Sequence, residues 1–210
     1  MLDTGSPSAR RWTFVDPSDP KALGFRAPSP HGGAWAVEHD PTATAAHSLS
    51  NRIGDAEAHP ATLVASDVRA RDIRAVTRCK VTVGDGGCGV VFRFRDDRNH
   101  HIARVDVTGR RVVLAVVTDG AERELASVPA QVDRGIWQEL VVEVRGDRLR
   151  AICNGRDIVE TEHHAAAIAG SVGLGVPAKT EAYFDELAVD ILPASAQALE
   201  VLPILGAKKG

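Results

Sequence analysis

Between residues 72 and 191 the chain alternates apolar with polar side chains, and turn signals break the alternation every eight to twelve residues. Ile73, Ala75, Thr77, Cys79, Val81 and Val83 fall on one parity, while Arg74, Arg78, Lys80 and Thr82 fall on the other. Successive side chains of a strand point to opposite faces, so this pattern buries one face of a strand and would smear around a helix. Further strands are predicted over 88–95, 101–107, 112–118, 122–128, 136–144, 149–154, 158–161, 171–176 and 182–191. Asp119-Gly120, Gly146-Asp147 and Asn154-Gly155 lie between them, and such pairs suit the positive φ angles of two-residue hairpins. Shorter strands are expected at 12–15, 34–38 and 62–65, with a helical turn or two only at 163–169 and 194–201. Many short strands without a long helical period predict an all-β chain, a sandwich or barrel.

The 210 residues suit one such unit. Its expected division is a flexible N-terminus over 1–11, the sandwich over 12–192 and a C-terminal tail over 193–210. A net charge of −3 and the lack of a basic block speak against a nucleic-acid partner. No apolar run reaches the length of about 18 residues that a membrane span needs. The N-terminus has no apolar stretch of the signal-peptide kind, so the chain is expected in the cytoplasm, or else its export signal has been removed. In the tail, Leu199, Val201, Leu202, Ile204 and Leu205 form an apolar cluster suited to covering a sheet edge or joining a second chain in an oligomer.

The cysteines are Cys79, Cys88 and Cys153. If Gly84–Gly87 closes a hairpin, Cys79 lies opposite Phe92, and the sulfurs of Cys79 and Cys88 sit roughly 13 Å apart, too far for a disulfide. All three are then expected as unbridged core residues, which favours a reducing compartment.

The stretches GVVFRFRDDRNHHIARVDV, GIWQELVVEVRGDRLRAICNGRDI and GSVGLGVPAKTEAYFDELAV carry a family resemblance. They resemble the concanavalin A-like lectin/glucanase jelly rolls. Within these the chain is most similar to bacterial 3-keto-disaccharide hydrolase-like or laminin-G-like domains of unknown function. The elements are Gly89–Arg93, Asp96–His101, Trp137–Val142, Asn154-Gly155, Gly170–Leu174 and Phe184-Asp185-Glu186. The resemblance implies a two-sheet antiparallel jelly-roll β-sandwich with a carbohydrate or glycoconjugate as its ligand. It also implies a structural Ca²⁺ at Asp185, since an Asp at the closing Phe-Asp joins backbone carbonyls there. The family's Tyr-Tyr is His100-His101 here, and the glucanases' Glu-x-Asp-x-Glu strand, whose alternation supplies a nucleophile and an acid, is absent from this sequence.

Strand parity then nominates a polar face. With Phe92 and Phe94 inward, Arg93 and Arg95 point outward, joined on the next strand by His100, Arg104 and Asp106 and from 136–144 by Glu139, with Glu143 beside it. Such a face is either a solvated ladder of cross-strand ion pairs or a groove that hydrogen-bonds sugar hydroxyls or a carboxylate. Arg104 is the expected ligand anchor. Trp137 is expected between the sheets, and His100-His101 as one exposed and one packed imidazole. His163-His164 is expected in a solvated loop. Three functions follow: a non-catalytic carbohydrate-binding module, a hydrolase or lyase acting on a modified 3-keto glycoside, or a structural, oligomerising domain.

Overall fold

A computed structural model describes residues 9–17, 19–28, 33–52, 59–164 and 168–193. The helical turn expected at 194–201 and the apolar tail lie outside these residues, as do positions 1–8. The strands in chain order are β1 (Ala9–Thr13), β2 (Phe25–Arg26), β3 (Ala34–His39), β4 (His47–Arg52), β5 (Ala61–Ala70), β6 (Ile73–Val83), β7 (Gly87–Asp96) and β8 (Asn99–Asp106). They continue as β9 (Arg111–Thr118), β10 (Ala121–Pro129), β11 (Gln138–Arg145), β12 (Arg148–Cys153), β13 (Asp157–Glu162), β14 (Gly170–Val176) and β15 (Glu181–Ile191). No helix occurs among the described residues.

The strands form two antiparallel sheets. The larger has the order β13-β12-β11-β6-β15-β4-β3, with β1 paired to the far half of β15. The smaller has the order β10-β9-β8-β7-β14-β5-β2. Local chemistry explains the hairpins. Asn154 and Gly155 take φ of 51° and 70° in the β12–β13 turn, and Asp119 and Gly120 take 52° and 85° between β9 and β10. Asn, Asp and Gly tolerate the left-handed region that such turns require.

The sheets pack face to face over one apolar core. Leu49, Ile73, Leu140, Leu149, Phe184 and Leu187 of the larger sheet meet Leu63, Phe92, Leu114 and Leu174 of the smaller, all at most 2% exposed. Each such side chain taken from water contributes about 1.5–3 kcal/mol. The inward parity of β6 is the one expected, through Ile73, Ala75, Cys79 and Val81. β4 went unpredicted because its turns towards and away from the core are made by Ser48, Leu49, Ser50 and Asn51, all buried but only one apolar.

The expected hairpin between β6 and β7 does not form. The Gly84–Gly87 segment carries the chain from the larger sheet to the smaller, so Cys79 and Cys88 face each other across the core with sulfurs 2.6 Å apart. The 13 Å separation assumed one sheet for both strands and is wrong for that reason. All three cysteines are free and buried.

Candidate functional site on the smaller sheet

The outer face of the smaller sheet is built by the residues that alternate with the core. His100, Ile102 and Arg104 of β8 lie beside Val117, Ala115 and Val113 of β9, and Gly175 of β14 lies beside Thr62 of β5. Ile102, Val64, Val91, Val113, Ala115 and Phe94 form a second apolar cluster on this face, separate from the main core. Phe94 was expected inside. A bulge in β7 moves it: Val91 and Phe94 are three positions apart, yet their partners Gly173 and Ser171 on β14 are only two apart. Arg93 sits in the bulge with φ of 48°, a conformation that costs a non-glycine residue about 1–2 kcal/mol. The one extra residue reverses the parity, so Phe92 stays in the core and Phe94 turns outward.

Two hollows adjoin on this side and share His100 and Val117. The first, of about 280 Å³, lies over the sheet face. Ile102 and Val117 supply its floor, and His59, Thr62, Asp97, Arg98, His100 and Glu122 its polar wall. Gly175 keeps the floor low, since a Cβ there would stand 2.7 Å from Val91 Cγ1 and 3.0 Å from Ile102 Cδ1. Thr62 Oγ1 donates to Asp97 Oδ1 at 3.2 Å. His100 Nδ1 stands 3.3 Å from the Asp96 carbonyl, which only accepts, so Nδ1 carries a proton and Nε2 remains an acceptor. Burial holds this imidazole below its usual pKa, hence neutral near pH 7.

The second hollow, of about 210 Å³, opens at the end of the sandwich beside Arg93, Arg95, Asn99, His101 and His163. Arg93 reaches across to the larger sheet, where Nη2 donates to the Gly146 carbonyl in the β11–β12 turn. His101 stacks on Phe92 with ring centroids 5.3 Å apart, and His100 leans on Phe94 at 5.4 Å. The two imidazoles occupy opposite faces as alternation requires, but both are buried, at 7% and 6% exposure for His100 and His101, against the expectation of one exposed ring. His163 is no solvated bystander either, because its Nδ1 meets His101 Nε2 at 2.9 Å.

The nominated polar residues separate into three groups. Arg93, Arg95 and His100 line the hollows. Arg104 and Asp106 lie on the same face but are paired: Arg104 Nη2 meets Glu122 at 2.7 Å, and Asp106 meets Arg111 Nε at 3.0 Å. Arg104 holds Glu122 at the rim of the first hollow, and its Nη1 is buried without a partner among the described residues. Glu139 belongs to β11 of the larger sheet opposite Arg78, and Glu143 of the same strand pairs with Arg74 at 3.5 Å; neither reaches this face. Their inclusion assumed that β11 follows β8 in one sheet. Thr62, Asp97, Glu122 and His163 were missed, since nothing local in the sequence marks a partner 62 positions away.

Asp185 does not fit a calcium site. Its carboxylate accepts from Thr44 N at 3.1 Å, Thr44 Oγ1 at 2.7 Å and Arg78 Nη1 at 2.5 Å. A guanidinium already occupies the place of the cation, and no group of three or more His, Cys, Asp or Glu suited to a metal occurs among the described residues. Trp137 lies outside the core as well. Gln138 opposes Cys79 and so faces inward, which turns Trp137 to the outer side of the larger sheet. There Lys80 Nζ lies 4.5 Å from its ring, and the indole N–H donates to Thr42 Oγ1 at 3.0 Å.

No protein-family model and no curated protein sequence matches the chain. Solved structures do. The carbohydrate-binding module CBM66 from Bacillus subtilis superposes with a TM-score of 0.67 at 19% identity, covering 80% of this chain and 95% of that one. The fold is a concanavalin A-like jelly roll. The VIP36 exoplasmic/lumenal domain in its Ca²⁺/Man3GlcNAc-bound form gives 0.57 at 12% identity over 83% of this jelly roll and 85% of its own chain. The GH43 protein BlXynB from Bacillus licheniformis gives 0.61 at 13% identity over 87% of this chain, which spans only 39% of that protein. At such identities the likeness is one of fold.

Proposed function

We propose that this jelly roll is a non-catalytic carbohydrate-binding module whose sugar sits in the first hollow of the smaller sheet. The observation that carries the reading is the hollow itself. An apolar floor of Ile102 and Val117, notched by Gly175, is ringed by Thr62, Asp97, Arg98, His100 and Glu122. A pyranose presents an apolar face and a rim of hydroxyls, and that rim needs acceptors and donors in alternation. Asp97, Glu122, His100 Nε2 and the Thr62 hydroxyl, whose proton goes to Asp97, accept; Arg98 donates. Its fold likeness to CBM66, a carbohydrate-binding module, agrees with this reading. No Phe, Tyr or Trp among the described residues lines the hollow, so affinity comes from hydrogen bonds and close packing on the floor, and a monosaccharide is expected to bind weakly.

Titration calorimetry against a panel of monosaccharides and short oligosaccharides tests the proposal. Glu122→Ala removes one acceptor to the ligand and should weaken a binding sugar by about 1.5–3 kcal/mol, as for a hydrogen bond to a charged group. Binding by no saccharide in the panel rules the module out. Release of new reducing ends from a 3-keto glycoside would replace it with the hydrolase reading.

A further inference from the structure

The second hollow differs from the first in charge. Its charged and titratable lining is Arg93, Arg95, His100, His101 and His163, with Asn99 and Thr118 beside them and no carboxylate. Arg93 and His101 are 5% and 6% exposed, yet Arg93 Nε, Arg93 Nη1 and His101 Nδ1 have no hydrogen-bond partner among the described residues. The direction of the surrounding bonds follows from one contact. Arg123 Nη2 can only donate, so His163 Nε2 accepts from it at 3.4 Å. A neutral His163 then holds its proton on Nδ1 and donates to His101 Nε2 at 2.9 Å. Burial and the Arg93 guanidinium push the His101 pKa down to about 3, so this ring is neutral and its one proton is on Nδ1.

All the orphaned positions are therefore donors. Asp72 and Asp147 offset the charge of Arg93 from a distance, but Asp72 accepts from Gly146 N at 2.8 Å and Asp147 from His164 Nδ1 at 2.9 Å. Desolvated donors without an acceptor are costly, and Arg93 is held among them by a strained backbone. Donors of this kind match the oxygens of an anion.

We infer that the saccharide this module takes is anionic, and that its carboxylate or sulfate ester is received in the second hollow by Arg93, Arg95 and His101. The inference rests on the carbohydrate reading of the first hollow. His100 and Val117 belong to both hollows, so a ring seated over the sheet directs a substituent, its own or that of the next residue, into the basic end. The guanidinium fork of exposed Arg95 matches two oxygens of one anionic group, while Nε–H and Nη1–H of Arg93, on different edges of its guanidinium, and Nδ1–H of His101 each offer a single donor. A cavity of about 210 Å³ accommodates such a group with a few waters.

The test is titration calorimetry of the full chain with three arms: a neutral hexose, the corresponding hexuronic acid and the 6-sulfated hexose. One or both acidic arms should bind about ten-fold tighter than the neutral one or better, and should weaken as salt is raised. Which acidic arm gains distinguishes carboxylate from sulfate. Arg95→Gln, at an exposed position that does not support the core, should cut the preference several-fold, and Arg93→Met should abolish it. Should Arg93→Met fail to fold by circular dichroism, Arg95→Gln alone decides. Equal affinity of all three arms, or a preference that survives Arg95→Gln unchanged, overturns the inference and leaves the neutral-sugar module standing. Binding of none of the three overturns the carbohydrate reading, and the inference with it.

Discussion

His101 has the largest consequence of any single side chain. Its folded pKa of about 3 lies far below the usual 6.5 because burial and nearby Arg93, His163 and His100 disfavour the charged ring. A depressed imidazole pKa means that the unfolded chain binds the proton more readily. Stability is therefore complete above about pH 6.5 and is lost as pH falls towards 3, at about 1.4 kcal/mol per pH unit. His100 and His163 act in the same direction, and exposed His164, raised by Asp147, acts in the other. Urea midpoints should fall between pH 6.5 and 5 by an amount worth about 2 kcal/mol, and His101→Phe should remove most of that slope while keeping the ring on Phe92. The cysteines give a second residue-scale expectation. Burial pushes the Cys153 thiol up to about 12 and that of Cys88 well above its ordinary value. Thiolate is the reactive species, so a thiol reagent should label none of the three in the native protein and react only as the chain unfolds.

At the scale of elements, two tethers fix segments that regular pairing leaves loose. The loop after β3 is held by Asp185, which takes three hydrogen bonds from Thr44 and Arg78, and by Lys80, whose Nζ donates to Asp40 at 2.6 Å. Asp185→Ala should leave Arg78 without its carboxylate partner and destabilise the fold by about 3 kcal/mol, the low end for a broken pair because Arg78 is one-third exposed and keeps its bond to Thr44 Oγ1. A chelator should leave the wild-type melting temperature unchanged, since the guanidinium stands where Ca²⁺ was expected. The close approach of β14 to β5 depends on Gly173. A Cβ there would stand 2.1 Å from the Leu63 carbonyl oxygen, and backbone cannot yield as a side chain can. Gly173→Ala should therefore cost about 1–3 kcal/mol through strand displacement, measured as a shift in denaturant midpoint with an unchanged slope.

The whole molecule has one main core shared by both sheets, so the sheets should unfold together. The tryptophans offer a clean check. Trp35 on β3 and Trp137, which immediately precedes β11, report on the larger sheet, while Trp12 on β1, its ring 5.1 Å from Phe25 of β2, reports on the contact between the sheets. Far-ultraviolet circular dichroism reports on both. Coincident urea transitions by the two probes are expected; an earlier loss of circular dichroism would mean that the smaller sheet melts by itself. Function is also distributed at this scale. The first hollow draws on β5, β8, β9, β10 and β14, and in the second Arg93 is held by a turn of the larger sheet that accepts from it.

The alternation along β6, β8 and β11 was enough to determine an all-β fold, because period two is written in neighbouring residues and needs no partner to be read. The turns at Asp119-Gly120 and Asn154-Gly155 were legible for the same reason, each being a local demand for positive φ. Which sheet a strand joins is another matter. Cys79 and Cys88 are nine positions apart and belong to opposite sheets, and Glu139 looks suited to Arg104 until β11 is seen to pair with β6. The β7 bulge had no sequence signal either: it inverts Phe94 and buries Arg93 because β8 and β14 constrain that strand from both sides. Sequence therefore determined the elements and most of their faces. The meeting of His101 with His163, and of Arg93 with Gly146, was decided by packing, since those contacts join chain segments more than fifty residues apart.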